Sequence, residues 1–124
     1  MTRIHFAALT VLAVMLLVPF HHAYAARFSG AYLLQLCEMD AKGKEKVKGG
    51  HAACQSYIAG VIDYHNVLSS LKIAPKVDIC IPQKTTMNEL QDIVLKYLRA
   101  HGEHDAFVAA PAVTMALFEI YPCR

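Results

Sequence analysis

Missing first from this sequence are the marks of an enzyme. No glycine-rich loop is placed to cradle a phosphate, and no serine, histidine and aspartate fall at a spacing readable as a triad. The H-E-x-x-H spacing that sets two histidines and a glutamate on one helical face is also absent. Phosphoryl transfer, serine hydrolysis and zinc proteolysis are thereby unsupported. No stretch alternates convincingly between apolar and polar residues, which argues against β-strands. There is no internal repeat and no low-complexity segment. The one basic run, "KGKEKVKGG" at 42–50, is glycine-flanked and interrupted by Glu45. It reads as a solvated loop, so nucleic acid is not an expected partner.

What is present begins with a leader-like segment. Arg3 supplies a basic start, Phe6 to Phe20 is an almost unbroken apolar run, and Ala23-Tyr24-Ala25 closes it with small residues. That layout is a secretory signal peptide, too short in its apolar part for the roughly 20 residues of a membrane-spanning helix. Cleavage after Ala25 leaves one domain, residues 26–124, with a formal net charge of +1. The expectation is a periplasmic protein with no membrane attachment after cleavage.

Four segments carry helical periodicity. Ser29 to Met39 opens with a serine N-cap and sets Leu33, Leu36 and Cys37 on one face. His51 to Leu71 places residues 54, 57, 58, 61, 65 and 68 along a seam. After the connector "APKVDICIPQ", bracketed by Pro75 and Pro82, a third helix starts at Thr86, where Thr86 and Glu89 match a capping box. It carries Leu90, Ile93, Val94, Tyr97 and Leu98 inward and ends near Gly102. The fourth runs from Asp105 to Tyr121 with Phe107, Ala110, Thr114, Leu117, Phe118 and Tyr121 on one side. Pro111 must either kink this helix or mark its true first turn after a short separate segment. The fold class is all-α, a compact bundle of about four helices.

All four cysteines, Cys37, Cys54, Cys80 and Cys123, follow the leader, and an even count in a small exported chain reads as two disulfides. Antiparallel hairpins bring Cys37 to Cys54 and Cys80 to Cys123. On the chain-entropy argument, loops of these lengths are worth at most about 3 and 4 kcal/mol.

That pairing bears on "CQSYIAGVIDYHNVL" at 54–68, which gathers residue types common in active sites. Cys54 in a disulfide is no nucleophile, and it lies roughly 16 Å along the helix from His65. His65 and Asp63 point about 200° apart on a helix and do not pair. His65 is expected as a core or interface histidine, Asp63 as a charge serving a neighbouring helix end or loop. Tyr57 reads as core. Gly60, costly in mid-helix, reads as a point where another helix or chain packs closely. The polar turn "HGEHD", with His101, Glu103, His104 and Asp105, is a candidate recognition loop. A metal there would need a further ligand such as His51. No metal or cofactor is expected.

The order of motifs resembles a known family. "FSGAYLLQLC", "CQSYIAGVIDYH", "CIP" followed by "TTMNELQDIVLKYLRAH", and a final "ALFEIYPCR" resemble the Rap/Tai family of periplasmic immunity proteins, which protect bacteria from type VI secretion amidase toxins. The resemblance covers essentially all of residues 26–124. It implies a disulfide-bonded helical domain, commonly a homodimer, that blocks a peptidoglycan amidase by filling its active-site groove and is not itself an enzyme. Two positions depart from the family pattern: Gly102 stands where a proline is expected, and Pro111 interrupts the last helix. The expected toxin contact is the turn His101–Asp105, with Glu103 and Asp105 meeting basic or cysteine–histidine groups. A competing reading is a periplasmic acid-stress or chaperone-like helical protein, which exposes apolar surface when its histidines and carboxylates gain protons at low pH.

Overall fold

A computed structural model describes residues 28–73 and 76–123. The leader-like segment and Pro75 lie outside them. Four helices follow in order: α1 (Gly30–Cys37), α2 (Gly50–Ser70), α3 (Met87–Ala100) and α4 (Ala109–Ile120), with a single 3₁₀ turn (Gly102–His104) between α3 and α4.

Each helix begins for a local chemical reason. Ser29 has extended backbone and its hydroxyl accepts the Tyr32 N–H at 3.2 Å, capping α1. α2 follows Gly49, whose left-handed backbone (φ 76°) provides no side-chain cap. The Glu45 carboxylate acts from a distance instead, accepting the Gly49 N–H at 2.8 Å and the His51 N–H at 3.1 Å. At α3 the capping box is complete: the Thr86 hydroxyl accepts the Glu89 N–H, and the Glu89 carboxylate accepts the Thr86 N–H. Pro111 falls in the first turn of α4, where a missing N–H costs no intrahelical bond. The fourth helix, expected from Asp105, starts only at Ala109 after a non-helical stretch, and Pro111 marks its first turn rather than a kink.

The core forms where the four apolar faces meet. Leu33, Ile58, Val94, Leu98, Val113 and Leu117 are among its fully buried side chains, each worth about 1.5–3 kcal/mol on removal from water. The α4 face differs from the expected one: Ala109, Ala112, Val113, Ala116 and Leu117 point inward. Phe107, expected inside, is 67% exposed. It precedes the helix, so the 3.6-residue period does not govern it.

Both disulfides pair as the hairpins require. Cys37–Cys54 ties α1 to α2, and Cys80–Cys123 ties the connector after α2 to the tail after α4. The first is wholly buried, at 0% for both residues. Of the second pair, Cys80 is exposed and Cys123 partly so.

Candidate partner-binding site

Two features face outward on this frame, the turn after α3 and a groove between α2 and α4.

The turn is held firmly. The His104 N–H donates to the His101 carbonyl, Asp105 N–H to Gly102, and Phe107 N–H to His104, each at 3.1 Å. Across to α1, the Gly30 N–H donates to the Phe107 carbonyl at 2.9 Å and Ala31 N–H to Asp105 at 3.2 Å. Gly30 is the residue that permits this approach: a Cβ there would lie 2.9 Å from the His104 carbonyl carbon. Within the turn, His101 stacks on Tyr97 with ring centres 4.1 Å apart, and its Nδ1 lies 2.8 Å from a Glu103 carboxylate oxygen. His104 Nε2 sits 3.4 Å from the Tyr97 hydroxyl. His101, Glu103 and His104 are thus brought together around one end of α3, with Asp105 exposed beside them. The hydrogen bond from His101 holds the Glu103 carboxyl below its ordinary value, so this 65%-exposed group stays ionised. Burial of the Tyr97 phenol, aided by the negative charges of Glu119 and Glu103, pushes its pKa up.

The groove is apolar and open, about 630 Å³ in volume. Tyr57, Gly60, Tyr64 and His65 of α2 face Pro111 and Met115 of α4 across it, and Val77 of the connector forms part of its lining. Tyr57 is half-buried under Phe28, whose ring stacks on it at 4.1 Å, and burial raises its phenol pKa. No described helix packs closely against Gly60: nothing among the described residues lies within 4 Å of where its Cβ would stand. Of the expected helix or second chain at Gly60, no described helix is there, and within the described residues the close-packing glycines are Gly30 and Gly50. Asp63 is exposed on α2, away from the buried His65.

His65 meets a residue that spacing did not single out. Its Nε2 lies 3.2 Å from an Asp78 carboxylate oxygen and 3.3 Å from the Ile79 N–H. One nitrogen cannot serve both: unprotonated it accepts from Ile79, protonated it donates to Asp78. Asp78 sits in an irregular connector, where no period reveals facing. Gln91 was also unmarked, though its position did carry a signal. It follows Met87 by four and precedes Val94 and Leu98 by three and seven, which is the buried stripe of α3. Buried there, it donates to the Cys37 carbonyl at 3.0 Å, satisfying the end of α1. Among the described residues, no three His, Cys, Asp or Glu side chains gather as metal ligands would. No described helix is long and apolar enough to cross a membrane.

A family model described as Rap1a immunity proteins matches residues 29–123, nearly the whole described chain. The chain belongs to the Rap1a immunity protein family. No curated protein and no solved structure matches it. Membership makes the two outward features of this immunity protein candidates for meeting other proteins. The turn offers anchored carboxylates and histidines, and the groove offers unpaired apolar surface.

Proposed function

We propose that this immunity protein works in the periplasm as a homodimer that occludes the active site of a secreted peptidoglycan amidase. The observation that carries the reading is the turn at 101–105. It is exposed, acidic at Glu103 and Asp105, and anchored to α1 and α3 before any partner arrives. A preformed loop loses little freedom on docking, so more of its contact energy appears as affinity. In a cysteine–histidine cleft, the Glu103 carboxylate would accept a hydrogen bond from an imidazolium while the turn excludes substrate and water. Two disulfides suit an oxidising compartment, as does the leader-like sequence.

The groove supports the homodimer. An isologous contact needs one face that both projects and recedes. Exposed Tyr64, Val67 and Leu71 project along α2, and the depression over Gly60 lies on the same helix. With no Cβ at Gly60, a second copy can approach the α2 backbone closely.

The test is inhibition of a secreted peptidoglycan amidase, sought first in the reading frames beside this protein's own, measured on purified peptidoglycan. Wild-type protein is expected to inhibit stoichiometrically, and Glu103→Lys with Asp105→Lys to weaken binding about ten-fold or more. Undiminished inhibition by that variant removes the turn from the contact. Absence of inhibition by the wild type removes the amidase reading. Sedimentation of Gly60→Arg tests the dimer: it is expected as a folded monomer, and a persisting dimer moves the interface elsewhere.

A further inference from the structure

The two disulfides occupy opposite environments, and neither lines the groove itself, but one closes the connector whose Val77 does. Cys37–Cys54 is sealed in the core. Cys80 is exposed, and its bridge to Cys123 closes a loop with a sequence separation of 43 residues. Besides the packing of Ile79 and Ile81 against the core, the connector is tied by a few hydrogen bonds. The Cys80 N–H donates to the Tyr121 carbonyl at 2.8 Å, and the Cys123 N–H donates to the Asp78 carbonyl at 3.1 Å. His65 reaches Asp78 or Ile79. Val77, three residues before Cys80, lines the groove.

We propose that Cys80–Cys123 is a redox latch that holds the connector against the groove and is opened by a dithiol oxidoreductase. A thiolate of the dithiol attacks the sulfur of Cys80, the exposed residue of the pair, and Cys123 leaves as a thiolate that takes a proton from water. The second thiol of the reductant then displaces Cys80. The protein ends with two thiols and the reductant with one disulfide, two electrons and two protons having passed between them. Reduction leaves the α1–α2 staple and the helical core in place. The connector is then held without a covalent tie, by its hydrogen bonds to His65 and the tail and by Ile79 and Ile81 against the core, and Val77, outside those contacts, is freer to leave the groove. An exposed bridge is the labile kind, and a buried one resists attack for want of access.

The consequence for self-association rests on the second-copy reading of the groove; the selective reduction does not. The experiment titrates oxidised full-length mature protein with dithiothreitol at neutral pH, traps thiols with iodoacetamide and maps the labelled peptides. Cys80 and Cys123 are expected to be alkylated at least about ten-fold faster than Cys37 and Cys54. Helical circular dichroism should be retained, amide exchange at Ile79 and Cys80 should speed up, and the dimer dissociation constant should rise about ten-fold or more. A Cys80→Ser, Cys123→Ser double variant should reproduce this without reductant. Equal labelling of the two pairs, or reduction with unchanged amide exchange, overturns the latch. If the oxidised protein is monomeric at every concentration, the second-copy reading fails, and the labelling and exchange results still decide the latch.

Discussion

Gly30 packs directly onto the backbone carbonyl of His104, joining the start of α1 to the turn after α3. A side chain at residue 30 has nowhere to go, because the obstacle is backbone: a Cβ would lie 2.9 Å from the His104 carbonyl carbon. Gly30→Ala is therefore expected to destabilise the protein by about 1–3 kcal/mol, as overpacking does. Gly60→Ala should have the opposite sign. Its Cβ meets nothing within 4 Å among the described residues, so in protein dilute enough to be monomeric the gain in helix propensity stabilises by up to about 1 kcal/mol. Urea midpoints of the two variants check both signs at once.

His65 and Asp78 give a second asymmetric pair. His65 is buried with its Nε2 within reach of both the Ile79 N–H and the carboxylate, whereas the Asp78 side chain is 57% exposed. His65→Ala leaves a part-buried N–H unpaired and is expected to cost about 1–3 kcal/mol. Asp78→Ala keeps the Ile79 bond and should cost less than about 1 kcal/mol, because it removes a carboxylate that is mostly in water. Hydrogen exchange at the Ile79 amide separates them, with strong acceleration expected only in His65→Ala.

Periodicity and capping made most of this fold legible. The Thr86–Glu89 box, the Ser29 cap and the α2 seam are all local patterns, and they set the helices close to where they lie. The disulfide pairing followed because hairpin topology leaves few ways to join four cysteines. Legibility stopped where geometry is non-local. Asp78 meets His65 only because the connector folds back over α2, and Gly30 touches His104 only because α1 crosses the turn. The groove is likewise a negative feature, made by what does not cover Gly60, and no motif encodes an absence of neighbours. Of the candidate site, the His101–Asp105 turn could be named from sequence, but its anchoring to α1 and to Tyr97 could not.

The fourth helix offers a direct test of where its inward face lies. The period alone assigned Phe107 and Leu117 to one buried side, but Phe107 precedes the helix and is exposed while Leu117 is fully buried. Leu117→Ala is expected to cost about 2–5 kcal/mol. Phe107→Ala should change stability by less than about 0.5 kcal/mol. Chemical denaturation of the two variants decides it, and comparable losses would restore Phe107 to the core.

Acid should loosen the helix starts and the outward turn together. Four carboxyls are held below their ordinary values by the bonds they accept. Glu38 is held chiefly by the Lys46 ammonium, Glu45 by the Gly49 and His51 N–H groups, Glu89 by the Thr86 N–H and Glu103 by His101. A carboxylate depressed in the folded state contributes its full stabilisation above the unfolded-chain value, and that contribution is lost as pH falls through the folded value. Stability is therefore expected to hold from neutral pH down to about pH 5 and to decline below about pH 4. Tyr57 and Tyr97 have the opposite sense. Their raised values mean stability present below about pH 10 and lost as pH climbs past it. Urea midpoints across this range check both limbs, and Glu89→Gln localises one contribution. That variant keeps a hydrogen-bond acceptor for the Thr86 N–H and removes the charge, so its acid limb should be shallower than that of the wild type. An identical acid limb would place the sensitivity at the other three carboxylates.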